Sequence, residues 1–304
     1  MKYVVALSLL MLFACSVYAD VIVQTYASPA LDVDAVNTHL IETDAGVIVF
    51  DTQRLLPEAE RVVRLIGDRP VLAVIVSHGH SDHYGGLPVF AERFPEAPRY
   101  AAEQTLRDIV DDPAGFNVKR RQRHGERFPT QPQLTAAAPD RVLTDGETLE
   151  IGSEAFEVVV LGPSHAADHA VVYHAASGSL FTGDMVVNGF IPNAFVDLDA
   201  MIRQLDEITQ RFPDTRTIYP GHGPPGPAEQ LLASQRAYLV QIRDLVSAAL
   251  ADGVVNEAEK QHIVFTLETD HPHRLGAAGN DRRTMLGKLI NRVAAQQLRP
   301  NHQD

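Results

Sequence analysis

Three histidines and an aspartate fall within the six positions 78–83, directly after the apolar run at 71–76. That run is continuous and rich in β-branched residues, a pattern that predicts a buried central strand. His78 and His80 are two residues apart, so on an extended segment they point the same way and can bind one cation. Asp82 and His83 follow where the chain turns and can face a second cation. The cluster therefore predicts a metal site at the end of a strand, with zinc the expected ion, although iron and manganese accept the same ligands.

Three further candidate ligands come where later strand-like runs end. They are His165 after the run 156–161, Asp184 after 179–183 and His222 after 218–219. Together with the His-x-His-x-Asp-His motif, these residues form an ordered set that resembles the metallo-β-lactamase superfamily of binuclear metallohydrolases. The resemblance spans roughly residues 21–240, and Asp51, which ends the apolar run 47–50, matches the family's first motif.

The resemblance implies a set of ligands for two metal ions. The first ion would be bound by His78, His80 and His165, and the second by Asp82, His83 and His222, with Asp184 bridging the two and Asp51 supporting the site from behind the ligands. The dedicated β-lactamase branches generally lack an aspartate at the bridging position, whereas glyoxalase II-like enzymes, lactonases and many other hydrolases carry it. The implied fold is an α/β four-layer αβ/βα sandwich, followed in this chain by a C-terminal helical extension.

The activity that this set implies is hydrolysis by metal-activated water. Two zinc ions that share a water lower its pKa toward neutrality, and Asp82 and Asp184 would position the resulting hydroxide as the catalytic carboxylates. The expected substrate is a small molecule with an ester, lactone or related acyl bond, and a β-lactam is the alternative. An iron-dependent oxygenase and a non-catalytic metal-binding protein of the same fold are further alternatives. The second metal site weighs against the oxygenase, and the filled ligand positions weigh against a non-catalytic protein.

Residues 1–19 have the pattern of a secretory leader. A basic start is followed by an apolar stretch and by Val17-Tyr18-Ala19, a small-residue cleavage site. The prediction is cleavage after Ala19 and a periplasmic or secreted protein with no membrane span in the mature chain. An uncleaved anchor, or lipidation of Cys15 in a lipoprotein-like box, is the less favoured alternative. Cys15 is the only cysteine, so the mature chain is expected to have neither a disulfide nor a thiolate ligand.

The charge balance limits the class of partner. The chain has 39 acidic side chains against 26 basic ones, which gives a formal charge of −13. A protein this acidic repels polyanions, so nucleic acid is not expected as a substrate or partner. One basic stretch, 119–127, stands out within the Pro-containing segment 113–139. It is either a solvated loop or short charged helix, or a flap over the metal centre that attracts a carboxylate-bearing substrate.

Strand-like and helical patterns alternate along the chain, as an α/β architecture requires. We expect one hydrolase domain over 20–250 and a helical extension over 251–304. A helix is predicted at 200–212, with Asp199 as its N-terminal cap. The pair His271 and His273 lies in the extension but has no partner ligands nearby, so no metal is expected there.

The linker 185–197, directly after Asp184, is unusually apolar for a loop. Its side chains either pack in the core or form an apolar wall beside the metals. The candidate pocket residues are Tyr84, Phe190, Ile191 and Phe195. Tyr84 and Tyr219 are also candidate hydrogen-bond donors to an oxyanion. His169 and His174 are not expected to be ligands, and burial with satisfied hydrogen bonds is favoured for both.

Overall fold

The computed structural model of the protein describes residues 21–29, 35–274 and 282–299. The predicted leader at 1–19, with Cys15, lies outside the described residues, as do 275–281 and 300–304 of the predicted extension. No helix within the described ranges is both long enough and apolar enough to cross a membrane.

The described strands form two six-stranded sheets in which each strand lies beside its neighbours in sequence. The first sheet contains β1 (Ile22–Ala27), β2 (Asn37–Thr43), β3 (Gly46–Phe50), β4 (Val71–Ile75), β5 (Arg99–Ala101) and β6 (Arg141–Val142). The second contains β7 (Thr148–Ile151), β8 (Glu154–Leu161), β9 (His169–His174), β10 (Ser179–Val187), β11 (Thr217–His222) and β12 (Gly226–Pro227). Strand β4 pairs in parallel with β3 and with β5, and is therefore a central strand as predicted.

Most of the described helices cover the outer faces of the two sheets. In chain order they are α1 (Leu56–Ile66), α2 (Ser81–Tyr84), α3 (Leu87–Arg93), α4 (Glu103–Asp111), α5 (Phe116–His124), α6 (Gln131–Ala136), α7 (Leu198–Arg211), α8 (Ala228–Ala249), α9 (Glu257–Asp270) and α10 (Arg282–Gln297). Side chains of α1, α3, α4 and α6 share a core with the first sheet, and side chains of α7 to α10 share a core with the second. The order of layers is helices, sheet, sheet, helices.

Strand β3 is apolar at almost every position because both of its faces are buried. Val47 and Val49 point into the core shared with the first group of helices, whereas Ile48 and Phe50 point into the core between the two sheets. Alternate side chains of a strand point to opposite faces, so a strand buried on both sides must be apolar at every position. The four-layer αβ/βα sandwich expected from the sequence is confirmed.

The predicted extension packs on the main domain. Leu267 of α9 and Leu286, Leu289 and Val293 of α10 are fully buried in the same core as α7 and α8. Burial of a leucine side chain stabilises a fold by about 1.5–3 kcal/mol. These contacts fix α9 and α10 against α8, which itself packs on the second sheet.

Two local expectations need correction. Strand β10 was expected to end at Gly183, but it continues to Val187, because register shifts on either side of Gly183 keep it paired with β11. Asp197, rather than Asp199, caps α7: its Oδ1 accepts a hydrogen bond of 2.9 Å from the backbone N–H of Ala200. Asp199 is the second residue of the helix, where its carboxylate interacts favourably with the helix dipole and lies 3.6 Å from Arg243 Nη1.

Gly86, at the start of α3, provides a test of packing beneath the metal-binding loop. A Cβ at this position would lie 1.9 Å from the Thr52 carbonyl oxygen and 2.6 Å from the Ala59 Cβ. Gly86→Ala is therefore expected to lower the free energy of unfolding by about 2 kcal/mol or more, because the backbone must move. Urea unfolding measures the change.

Gly287, inside α10, is the matched control. A Cβ there meets no atom within 4 Å. Gly287→Ala is expected to raise the free energy of unfolding by about 0.5–1 kcal/mol, because alanine loses less backbone entropy in a helix. Equal stability of Gly86→Ala and the unaltered chain would show that the loop does not pack as described.

Candidate metal centre

The seven predicted ligands converge at one end of the sandwich. His78, His80, Asp82 and His83 lie on the loop after β4 and in the short helix α2. The others come from the second sheet: His165 from the loop after β8, Asp184 from β10 and His222 from the end of β11. The pairs β3–β4 and β10–β11 are both parallel, so the loops at their carboxyl ends meet at this edge.

One group of candidate ligands consists of His78, His80, His165 and Asp184. The His80 Nδ1 atom lies 2.9 Å from His78 Nε2 and 3.0 Å from His165 Nε2. The Asp184 Oδ2 atom lies 3.3 Å from His165 Nε2. Ligand atoms at the corners of a tetrahedron around zinc, with bonds of about 2.0–2.1 Å, are about 3.3 Å apart. The spacing of this group suits such an ion.

The other group consists of Asp82, His83 and His222. Asp82 Oδ2 lies 3.7 Å from His83 Nε2 and 3.5 Å from His222 Nε2. Asp184 also reaches this group, because its Oδ1 atom lies 3.4 Å from His83 Nε2 and 3.3 Å from His222 Nε2. The two oxygens of Asp184 thus face different groups, which is the position of a bridging carboxylate.

Asp51 orients the loop that carries the first ligands. Its carboxylate accepts hydrogen bonds from the Ser77 backbone N–H at 2.8 Å, the Ser77 hydroxyl at 2.9 Å and His83 Nδ1 at 2.7 Å. Because Nδ1 of His83 donates to Asp51, the lone pair of Nε2 points into the site. Asp51 adopts a φ of 63°, a left-handed backbone that aspartate and asparagine tolerate better than most residues. This geometry agrees with the supporting role expected from the sequence.

The electrostatics of the two groups differ. Burial, together with the neighbouring imidazoles, holds the pKa values of His78 and His80 well below the usual range, so both rings stay neutral and keep a lone pair. Burial lowers the pKa of His83 as well, but the carboxylates of Asp51, Asp184 and Asp82 outweigh it and raise the pKa well above normal. The same balance raises the pKa of His222 to about 10. The carboxylates around the second group therefore favour positive charge at its histidines.

Arg54 is a charged neighbour that the sequence analysis did not identify. Its side chain is 4% exposed, and its Nη2 lies 3.1 Å from Asp82 Oδ1. Burial alone would raise the pKa of Asp82, but Arg54, His83 and His222 hold it well below its usual range. One oxygen of Asp82 is thus paired with Arg54 while the other faces the histidines. No periodicity or motif marks Arg54, because its role depends on a tertiary contact.

Two buried atoms at the centre of the cluster indicate whether these residues fit a metal ion. Neither His83 Nε2 nor Asp184 Oδ1 makes a hydrogen bond with any residue that the structure describes. A buried polar atom without a partner is costly unless something else binds it. Nitrogen and carboxylate oxygen donors are the ones that zinc accepts. The donor set and its unsatisfied atoms fit a pair of divalent cations.

A sequence profile of the metallo-β-lactamase superfamily matches residues 31–222. The chain belongs to this superfamily. It is therefore a member of a superfamily of metallo-hydrolases, and its clustered histidines and aspartates form a possible metal-binding site.

Individual relatives within the superfamily are distant. A probable metallo-hydrolase of Bacillus subtilis is 28% identical over 154 residues, which are 50% of this chain and 62% of that protein. A metallo-β-lactamase type 2 of Bacteroides fragilis is 32% identical over 202 residues, covering 64% of this chain and 71% of that protein. The matched region of the chain thus spans less than two thirds of the length of the first relative.

A solved structure confirms the fold over more of the chain. A stereoselective inverting sec-alkylsulfatase of a Pseudomonas species superposes with a TM-score of 0.65 at 19% identity. The match covers 90% of this chain and 49% of that one. Similarity at this level supports the fold alone.

In this member of the superfamily, five of the seven candidate ligands line a cavity of about 510 Å³: His80, Asp82, His165, Asp184 and His222. The four predicted pocket residues, Tyr84, Phe190, Ile191 and Phe195, all line it. Residues 185–197 thus contribute both to the core and to the cavity wall, since Met185 and Val186, at the end of β10, are buried in the core. Tyr219 does not reach the cavity. Its ring stacks on Phe181 between the two sheets at 4.8 Å.

The basic stretch 119–127 lies in helix α5 and the single 3₁₀ turn that follows it. Phe116 and Arg120 of α5 line the cavity. The short charged helix is therefore confirmed, and Arg120 lies beside the cavity, whereas a flap that attracts a carboxylate-bearing substrate stays a prediction. The hydroxyl of Tyr84 donates to Asn117 Oδ1 at 2.6 Å, which ties α5 to the metal-binding loop.

The remaining histidines differ from one another. His174 is buried with both ring nitrogens hydrogen-bonded, to Ser177 Oγ and Glu154 Oε2, which confirms the expectation for this residue. His169 is buried and stacks on His78 at 4.6 Å; its Nε2 bonds to the Thr182 carbonyl, but its Nδ1 has no partner among the described residues. His271 bonds to Gln241 and joins no metal-binding group within the described ranges.

Asp51→Asn tests the supporting role. Asparagine keeps the size and tolerates the backbone conformation, but it removes the charge and cannot accept all three hydrogen bonds. We expect zinc affinity to fall by about 10–100-fold, since His83 and the loop lose their orientation. Competition with a chromogenic chelator measures the affinity. As a control, Asp140→Asn removes a surface pair with Arg99 and should leave affinity unchanged. Unaltered zinc binding in Asp51→Asn would contradict the assignment.

Proposed function

We propose that this chain is a hydrolase that holds two metal ions, zinc by default, and activates water for attack on an ester or lactone bond of a small molecule. The observation that carries the proposal is the position of Asp184 between two groups of histidine donors, with one oxygen within 3.4 Å of each group. A carboxylate between two cations is the arrangement that two-metal hydrolysis uses. Membership of a superfamily of metallo-hydrolases supports the same reaction class.

The residues have distinct parts in the proposed reaction. When bound, the metal ions would lower the pKa of water and polarise the acyl carbonyl. One ion would be held by His78, His80 and His165, and the other by Asp82, His83 and His222. Asp184 would bind both ions. Asp184 and Asp82 line the cavity, where their carboxylates can orient the attacking water and accept its proton. Arg54 keeps Asp82 ionised and in place.

The cavity wall favours an apolar acyl group. Val187, Phe190, Ile191 and Phe195 form one side of the cavity beside the candidate ligands. The leader pattern at 1–19 supports export, and a periplasmic or secreted enzyme would not meet the cytosolic glutathione thioester used by glyoxalase II enzymes. The acidic chain disfavours polyanionic substrates. An exogenous ester or lactone is the substrate class that remains.

β-Lactam hydrolysis is the second candidate. The observation in its favour is the 32% identity with the metallo-β-lactamase type 2 of Bacteroides fragilis. The aspartate at position 184, which the dedicated β-lactamase branches generally lack, ranks it below ester hydrolysis.

Asp184→Asn is expected to fold normally and to lose at least about 100-fold in kcat/KM, because the variant keeps the shape but loses the charge between the two metal positions. Steady-state kinetics and thermal unfolding measure the two effects. The matched control is Asp108→Asn, another carboxylate that lines the cavity but belongs to neither ligand group. Asp108→Asn should keep most of the activity. Full activity of Asp184→Asn would mean that the bridge is misassigned, and loss of folding would make the site structural.

A substrate panel on zinc-loaded protein, with and without chelator, tests the reaction class. The panel contains aryl and alkyl esters, acyl-homoserine lactones, thioesters, phosphodiesters and a chromogenic cephalosporin. We expect chelator-sensitive turnover that is highest for esters and lactones with apolar acyl groups. A preference for the phosphodiester, or activity that the chelator does not affect, would overturn the proposal. Strong cephalosporin turnover would favour the second candidate.

A further inference from the structure

Residues 190–198 form one wall of the cavity. Side chains that follow the predicted hydrolase domain in sequence contact this wall. Arg274, which follows α9, is 2% exposed, and its Nη1 donates to the Phe190 carbonyl oxygen at 2.8 Å. The same guanidinium donates to the Ser234 carbonyl and hydroxyl of α8 and lies 4.8 Å from the centre of the Tyr238 ring. Arg274 thus ties one end of the wall to the rigid helix α8.

The other end of the wall is held by α10. Gln296 bonds to it twice: its Nε2 donates to the Ala194 carbonyl at 3.1 Å, and its Oε1 accepts from the Leu198 N–H at 3.0 Å. The Leu198 amide belongs to the first turn of α7, where backbone N–H groups have no partner within the helix. The guanidinium of Arg292 lies 4.2 Å above the ring of Phe195. One face of α10 therefore fixes the wall from residue 194 to residue 198.

Both of these parts of the wall also contact candidate metal ligands. The Phe190 ring is 5.9 Å from the His222 ring, and the Phe195 ring is 4.9 Å from His80 and 5.4 Å from His165. Between them, the carbonyl of Asn193 accepts a hydrogen bond of 2.6 Å from His165 Nδ1. That bond leaves the lone pair of His165 Nε2 directed toward His80 and Asp184.

α10 also contributes to the cavity directly. Met285 lines it together with Phe190, Ile191 and Phe195, and is 7% exposed. A methionine at this point can adapt to the shape of a flexible apolar group.

We propose that Arg274, which follows α9, and helix α10 contribute to the active site: Arg274, Arg292 and Gln296 position the wall 190–198 and His165, and Met285 sets how long an acyl group the cavity accepts. The substrate part of this inference rests on the proposed esterase function. The positioning part does not, because it concerns how the wall and His165 are held.

Gln296→Leu tests the positioning role, since it keeps the size and removes both bonds to the wall. The adjacent Gln297→Leu is the matched control: it removes a bond of 3.1 Å from the same helix to the Arg243 carbonyl of α8, away from the wall. For Gln296→Leu we expect KM for long-chain aryl esters to rise about fivefold with a smaller change in kcat, as loss of about one hydrogen bond's net stabilisation predicts. Zinc affinity should fall severalfold, and amide hydrogen exchange at 193–198 should accelerate. Equal effects of the two variants would make the role structural and overturn the proposal.

Met285→Ala, assayed with p-nitrophenyl esters from acetate to decanoate, tests the specificity role even if Gln296→Leu loosens α10. The optimum should move to longer acyl chains, and an unchanged profile would overturn this part. If the unaltered zinc-loaded chain hydrolyses none of the esters, the proposed function and the specificity role fail together. Zinc competition and hydrogen exchange of the glutamine variants then still decide the positioning role, because neither readout needs turnover.

Discussion

The carboxylates of Asp51, Asp82 and Asp184 are all buried at one end of the sandwich. The negative charge of each must be balanced there by hydrogen bonds or by positive charge. Removing an ionised carboxylate from water is expensive unless it is paired or hydrogen-bonded. Asp51 meets this requirement with three hydrogen bonds, and Asp82 with Arg54. Asp184 faces only histidines at 3.3–3.4 Å, and its Oδ1 has no hydrogen bond with any described residue. In the proposed function, two cations would supply the positive charge that this carboxylate favours.

The fold brings these groups together through parallel strand pairs in both sheets. β3 and β4 deliver Asp51 and the histidine loop, while β10 and β11 deliver Asp184 and His222. The two halves are joined directly, since Asn37 of β2 donates to the carbonyls of Pro220 and Gly223 on either side of His222. The candidate metal centre therefore spans both sheets, and small changes in how they pack would alter the distances between its candidate ligands.

Local patterns in the sequence predicted much of this arrangement. The spacing of His78, His80, Asp82 and His83 and the apolar strand before them depend on neighbouring residues alone, and so do most strands and helices. Contacts between distant segments could not be predicted in this way. Arg54 pairs with Asp82 only because the loop after β3 folds over α2, and Gln296 reaches the wall across about a hundred residues of sequence. Asp199 was expected to cap α7 because it fits the composition of a cap, but Asp197 has the required geometry.

The most direct measurement is an anomalous-scattering map from crystals of the zinc-loaded protein, recorded on both sides of the zinc absorption edge. The account predicts two zinc peaks, one among His78, His80 and His165 and one among Asp82, His83 and His222, both in contact with Asp184. A single peak that persists below the zinc edge and disappears below the iron edge would contradict it. Two zinc peaks located away from Asp184 would contradict it equally.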